Sequence, residues 1–261
     1  MLAKKLVVFV KEWRYRYRLR HSAIKEGKTQ DMANNGFVYY CRVLDLYFFL
    51  PEYESDYIQQ KIITSGNYYE DKILNYITKI VLGGAIRERI KGHCLLDIGS
   101  NIGNHTLYFL KECGAGVIHC FEPVDKTFDI LKRNLSLNHY EDRVVLHHVA
   151  VGARSSKAVL KHCEKGNMGT AEMAYDSHGN ISMIAVDDLD LSNSIAFVKI
   201  DVEGFELEVV KGMKETIKRN RPYIMMEIRK DFFGEIMSIL RPLGYWYINV
   251  GTGINYLFIP L

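Results

Sequence analysis

From Lys91 onward the chain alternates short apolar runs with stretches of helical spacing, the mark of a parallel sheet whose strands are joined by crossover helices. Strands are expected at 94–98, 117–122, 144–149, 197–201 and 223–228, and helices at 104–113, 125–138, 203–219 and 231–242. Two more extended stretches, 245–250 and 255–260, are joined by Gly251-Thr252-Gly253 and read as an antiparallel hairpin ending the sheet. Between the third and fourth strands, 157–163 and 181–186 read as an inserted extended pair around the loop Gly166-Asn167-Met168-Gly169. No internal repeat or low-complexity linker interrupts this order.

Composition narrows the class. The 261 residues are 48% hydrophobic and 25% charged, ordinary for one large globular domain and contrary to global disorder or a rod. Apolar runs such as 46–51 are far shorter than the roughly 20 residues of a membrane span. No cleavage site of small residues follows the first ten residues, so the chain is expected to stay in the cytosol as mature protein. Cys41, Cys94, Cys113, Cys120 and Cys163 are odd in number and contain no Cys-x-x-Cys pair, which fits reduced thiols rather than disulfides or a zinc knuckle.

The net charge of +3 is unevenly spread. Residues 1–30 hold nine Lys/Arg against two Glu, a local +7, which leaves 3 − 7 = −4 for residues 31–261. Leu2, Leu6, Phe9, Trp13 and Tyr17 follow helical spacing, while residues 13–19 also alternate with period two. One reading is an amphipathic segment in peripheral contact with an anionic membrane face or holding a polyanion; the other is a solvated helix packed on its own domain.

The most informative segment is LLDIGSNIGNHT at 95–106. An apolar strand ends in Asp97, Gly99 and Gly103 make a tight turn, and a helix starts near Asn104. In an open α/β sheet that crevice takes a nucleotide-like ligand, and the glycines would let the backbone approach it. Glu122 ends the next strand, where an acid accepts from ribose hydroxyls. The loop is not the three-glycine form that meets a pyrophosphate. It supplies Asp97 and Asn101, a carboxylate and an amide suited to an aminoacyl cation, so S-adenosylmethionine is the expected cofactor.

Residues 95–106, Phe121-Glu122-Pro123, Val149-Ala150-Val151-Gly152, 198–206 (VKIDVEGFE), Val210-Lys211-Gly212 and 221–227 (RPYIMME) resemble, in order and spacing, the FkbM family of S-adenosylmethionine-dependent methyltransferases. An upstream segment containing Tyr69-Glu70 extends the resemblance to about residues 55–230, and His148 stands where the family often has Asn. The resemblance implies an α/β fold with a Rossmann-like seven-stranded class I methyltransferase sheet and an N-terminal helical extension. It divides the chain into a basic, aromatic-rich extension at 1–54 and a catalytic domain at 55–261. It adds Glu70, Asn104, Pro123, Ala150 and Asp201 to Asp97, Gly99, Asn101, Gly103 and Glu122 as cofactor-binding residues, and it implies O-methylation of a sugar, glycan or polyketide-type hydroxyl.

Methyl transfer to a hydroxyl needs alignment and a group to take the proton. Asp201 and Glu203 flank the end of the fourth strand and lead as catalytic candidates, with Glu227 at the end of the fifth; a helix-capping role for Asp201 and a dipole-complementing role for Glu203 remain open. Lys199 is expected to pair with Asp201 as structural support, and His105 to be a packing residue. His147-His148 and Asp188-Leu189-Asp190 superficially suggest metal ligands, yet they read as opposed strand residues and a turn, and no metal is expected. Tyr39, Tyr40, Tyr47, Phe48, Phe49, Tyr53, Tyr57, Tyr68 and Tyr69 are candidates to line an acceptor cleft by stacking on sugar rings, against the alternative of packing in a helical cap.

The expected function is methylation of a sugar hydroxyl of a surface polysaccharide, glycolipid or related secondary metabolite, at the cytosolic membrane face. The expected acceptor is a small molecule or glycan, and no nucleic acid is expected as partner. The alternatives are a nucleic-acid methyltransferase using the basic N-terminus, and a non-catalytic S-adenosylmethionine-binding partner protein.

Overall fold

The computed structural model describes residues 37–164, 167–191, 194–251 and 253–261, so the basic segment 1–30 and its amphipathic pattern lie outside the described residues. The chain divides into two compact units, one running to Tyr69 and taking in Asn167, the other made of Glu70–Glu164 and Met168–Leu261. The expected boundary after residue 54 falls inside the first unit. Among the described residues no helix is long and apolar enough to cross a membrane.

In the first unit, strands β1 (Val38–Cys41) and β2 (Leu46–Phe49) pair antiparallel. This part of the extension was expected to be helical. Its aromatic and branched residues alternate with period two, so Tyr39 opposes Phe48 on the buried side while Tyr40 opposes Tyr47 on the other. Helix α1 (Tyr57–Ser65) follows, with the Asp56 side chain accepting from the Gln59 N–H at its start and left-handed Gly66 at its end. Tyr39, Phe48 and Tyr68 are all buried, with Tyr68 edge-on to Phe48, so these three rings form core rather than an acceptor-lining surface.

The second unit opens with α2 (Asp71–Asn75), passes through a π turn and a 3-10 turn to α3 (Ala85–Ile90), and then enters the expected alternation. Its elements are β3 (Cys94–Ile98), α4 (Asn104–Lys111), β4 (Val117–Phe121), α5 (Asp125–Leu137) and β5 (Val144–His147), then β6 (Ala150–Val151), β7 (Ser156–Glu164), β8 (Asn167–Tyr175) and β9 (Ile181–Ile184). After these come β10 (Ile195–Ile200), α6 (Glu206–Lys211), α7 (Lys214–Asn220), β11 (Tyr223–Glu227), α8 (Phe233–Leu240), β12 (Tyr245–Asn249) and β13 (Asn255–Pro260). Seven strands form one sheet in the order β12-β13-β11-β10-β3-β4-β5. Strands β5, β4, β3, β10 and β11 are parallel, and the terminal hairpin adds β13 and β12 antiparallel. The strand order reverses between β3 and β10, and a crevice opens at such a point beyond the strands' carboxyl ends.

The insertion is a four-stranded sheet, β6-β9-β7-β8, rather than a pair. The stretch 166–169, expected to be loop, contains the start of β8. Its sequence NMGTAEMAY lacks alternating bulky residues, which hides the strand, and the core it helps to cover is correspondingly small: Ala150, Ala158 and Met183, flanked by Met173, Tyr175, Ile181 and Phe205.

The single helix expected over 203–219 is broken into α6 and α7. Between them the Gly212 backbone passes so close to the Gly152 carbonyl that no Cβ would fit, and the Gly212 carbonyl accepts from the Asp187 N–H. Asp187 lies in a 3-10 turn at Val186–Asp188, so the Asp188-Leu189-Asp190 motif opens in a turn, as expected. Its carboxylate accepts from the N–H groups of Glu215 (3.0 Å) and Thr216 (2.8 Å), capping α7 from a distance in sequence. Asp187→Ala should therefore lower stability by about 1–2 kcal/mol in urea unfolding. An unchanged midpoint would show that this cap is replaced by water without loss.

Candidate active site

The crevice at the carboxyl ends of β3 and β10 is built around one buried cation. Lys199, in β10, is 2% exposed and lies 3.3 Å from Asp97 Oδ1 and 3.3 Å from Asp201 Oδ2, while its Nζ donates to the Gly99 carbonyl at 2.6 Å. Burial opposes the ammonium, but the two carboxylates outweigh it and hold the lysine's pKa above its ordinary value. Lys199 therefore remains charged, and with it the ends of β3 and β10 are tied together. The pairing expected with Asp201 is present. The additional bond to Asp97 changes the role of that residue.

Asp97 was expected to meet an aminoacyl cation. It is instead 1% exposed, with Oδ2 accepting from Thr106 Oγ1 at 2.5 Å and Oδ1 turned to Lys199. Its carboxylate supports the loop from behind because a protein cation already neutralises it. The glycines also differ from expectation in their reason. A Cβ on Gly99 would overlap the Asp201 carbonyl oxygen, and one on Gly103 would stand 2.6 Å from Leu131 Cδ1. Both glycines have left-handed φ, so the turn needs them for its own packing and conformation.

The loop after β3 is pinned on its other side by Glu122. This buried carboxylate accepts from Asn101 N–H (2.8 Å), Val124 N–H (3.0 Å) and Thr127 Oγ1 (2.7 Å). Burial pushes its pKa above the carboxylate range despite these bonds and the charge of Lys199. With three donors taken, roughly one acceptor position remains, on Oε2. Pro123 follows Glu122 in the chain, and buried Asn104 opens α4. Ala150 begins β6 and is buried in the core of the inserted sheet. His148 stacks on Phe128 at 4.3 Å and lies 3.1 Å from Asp125, whereas His147 stacks on Phe121 and faces His119 at 3.0 Å. The two adjacent histidines thus have separate partners.

The opposite wall is acidic. Asp201 is about one-third exposed and bridges Lys199 to solvent. Glu203 has φ 22° and precedes left-handed Gly204, an uncommon conformation for a residue with a Cβ. Its carboxyl is pushed up to about 7, first by burial and then by Asp201, Glu206 and Glu172, against Arg229. Glu227, closing β11, is pushed up to about 8 by burial and by Asp201, Glu203 and Glu70, against Lys199. Glu70 lies 3.4 Å from His105 in the first turn of α4, so His105 has a carboxylate neighbour where a packing role was expected. The sheet thereby gathers Glu70, Asp201, Glu203 and Glu227 around the crevice mouth. Two features were missed at the sequence level: buried Glu206, and the Arg229–Glu172 ion pair at 2.7 Å. The spacing of two acids around a glycine in Glu203-Gly204-Phe205-Glu206 was the available signal for the first; nothing local marks the second.

Glu203 and Glu227 bind protons more tightly when folded than at the ordinary glutamate value of 4.5. Their contribution to folding is complete below that value and is lost as pH rises through the folded values of about 7 and about 8. Urea midpoints should therefore fall between about pH 5 and about pH 8, and the fall should flatten in a Glu203→Gln/Glu227→Gln variant. Parallel curves for the two proteins would show that these carboxyls titrate normally.

The model of the methyltransferase FkbM domain matches residues 97–247, more than half of the chain. Hexuronic acid methyltransferase AglP of Haloferax volcanii is 28% identical over 146 residues, covering 55% of this chain and 59% of that protein. Methyltransferase 1 of Beauveria bassiana is 25% identical over 146 residues, covering 46% of this chain and 58% of its own. The chain therefore spans less than two thirds of the length of these two curated relatives. The solved structure of methyltransferase FkbM from Methylobacillus flagellatus KT aligns over 94% of this chain and 58% of its own, with 17% identity and a TM-score of 0.49. With the family match spanning more than half of the chain and most of the sheet, this chain belongs to the FkbM methyltransferase family.

Proposed function

We propose that the protein is an S-adenosylmethionine-dependent O-methyltransferase acting on a sugar hydroxyl of a polysaccharide, glycolipid or related secondary metabolite. The observation that carries this reading is the pairing, at one crevice mouth, of an Asp201 held beside Lys199 with two carboxyls, Glu203 and Glu227, whose pKa values are raised to about 7 and about 8. A general base is most effective when its pKa lies near the working pH.

The residues present suit the methyl donor. Glu122 keeps an acceptor position on Oε2 fit for a ribose hydroxyl, and the backbone from Gly99 to Gly103, with Asn104 and Pro123, would form the rest of that pocket. Glu70 and Asp201 would balance its positive charge, with Asp97 and Ala150 supporting from behind. When bound, S-adenosylmethionine supplies an electrophilic methyl group on a sulfonium. Glu203 then takes the proton of the acceptor hydroxyl as its oxygen turns nucleophilic, and Asp201 and Glu227 accept hydrogen bonds from neighbouring hydroxyls and orient the ring.

The relative named for hexuronic acid supports a sugar acceptor. The charge of this wall favours a hydroxyl over a carboxylate. Cations facing it are already engaged, Lys199 by Asp97 and Asp201 and Arg229 by Glu172, so an anionic acceptor would meet net repulsion. A carboxylate would also need no base.

Glu203→Gln should slow turnover about 10²-fold or more while leaving cofactor affinity intact, and wild-type kcat/KM should rise with pH through about 7. Full turnover in that variant would remove Glu203 from the chemistry. Mass spectrometry of oligosaccharides incubated with the enzyme and S-adenosylmethionine should find one added methyl that survives mild alkali, as an ether does. A methyl lost on saponification would mean a carboxyl acceptor.

A further inference from the structure

Glu206, at the start of α6, is not needed to explain the fold, and its surroundings are unusual. It is 2% exposed. Its Oε1 accepts from the Gly204 N–H at 2.7 Å, while buried Oε2 has no hydrogen-bond partner among the described residues. A carboxylate that served only to hold the Gly204 N–H would do so equally well with its second oxygen in water; leaving that oxygen dry and unbonded is costly. The unpartnered group sits against the acidic wall, where its charge acts on Glu203 and the charge of Asp201 acts on it.

The turn that it holds is the one that presents Glu203. Two successive residues, Glu203 and Gly204, have positive φ, and Phe205 N–H bonds back to the Val202 carbonyl. Phe205 also packs against Tyr175 at 5.3 Å, in the small core of the inserted sheet, so the turn is braced from both ends. We propose that Glu206 is the positioning residue of the acceptor site, fixing the Glu203 turn through Gly204 N–H and setting, through its unpaired carboxyl oxygen, the charge environment in which Glu203 works. The inference rests on the reading of Glu203 as the base.

The groups that face Glu203 are Asp201 from the end of β10, Glu206 from α6, Glu172 from β8, Glu227 from β11 and Arg229 just beyond it. Of these, Glu206 combines full burial with a direct bond to the turn. Replacing it by the neutral isostere removes a like charge while retaining an oxygen for Gly204 N–H, so Glu203 should give up its proton more readily.

The test is the pH profile of kcat/KM for the full chain with S-adenosylmethionine and a methyl-accepting oligosaccharide. In Glu206→Gln the acidic limb should move down by about half a unit or more, with S-adenosylmethionine affinity unchanged. In Glu206→Asp, which keeps the charge but shortens the reach to Gly204, the limb should stay near 7 while kcat falls about tenfold. A limb in Glu206→Gln that superimposes on wild type, or wild-type kcat in Glu206→Asp, overturns the proposal; should Glu206→Gln fail to fold, Glu206→Asp alone decides. Glu203→Gln run in parallel separates the two ideas. If it retains turnover, the base assignment falls; if it is inactive and the Glu206 variants behave as wild type, only the positioning role falls.

Discussion

One ammonium buried between two carboxylates sets the spacing of everything at the switch point. Lys199 cannot give up its charge while Asp97 and Asp201 flank it, and it cannot reach water, so the ends of β3 and β10 must remain where both carboxylates and the Gly99 carbonyl meet it. Gly99 follows from this constraint. Drawing the two strand ends together leaves no space for a side chain beside the Asp201 carbonyl. The left-handed turn that results aims the Asn101 N–H at Glu122, which extends the same order to the end of β4.

The acid wall is the counterpart of that cluster. Asp201 is the residue common to both, paired with Lys199 on one side and repelling Glu203 and Glu227 on the other. Burial first, and Asp201 second, raise the proton affinity of Glu203 and Glu227. Among the described residues no group of three or more His, Cys, Asp or Glu is disposed to hold a metal ion. The inserted sheet contributes indirectly: Tyr175 donates to Glu208 and accepts from the Ala153 N–H, and Glu172 holds Arg229, so the loop carrying Glu203 is braced by strands far from it in sequence.

The parallel sheet was legible because each strand is a short apolar run bounded by polar turns, and β3 matches its expected limits residue for residue. Asp97, Glu122, Asp201, Glu203 and Glu227 were legible for the same reason, since polar residues at the ends of buried strands stand out. What the pattern concealed were features made by distant contacts. β8 is built from small and polar residues because its core is small, and the break in the helix at Gly212 answers to Gly152 and Asp187 rather than to local propensity. The hairpin at 38–49 competed with a helical reading because aromatic residues suit either, and cross-strand pairing decided it. For Asp97, a carboxylate beside a glycine turn has the same sequence signature whether its cation belongs to a ligand or to Lys199, and the ion pair with Lys199 was not legible.

The central claim is that Lys199 and Asp97 form a coupled buried pair, and a double-mutant cycle in urea measures it directly. Lys199→Met should cost about 3–5 kcal/mol, because it leaves Asp97 buried without its cation, and adding Asp97→Asn should recover part of that loss. If the losses of the two single variants simply add in the double variant, the pair is not coupled and the account of the crevice is wrong.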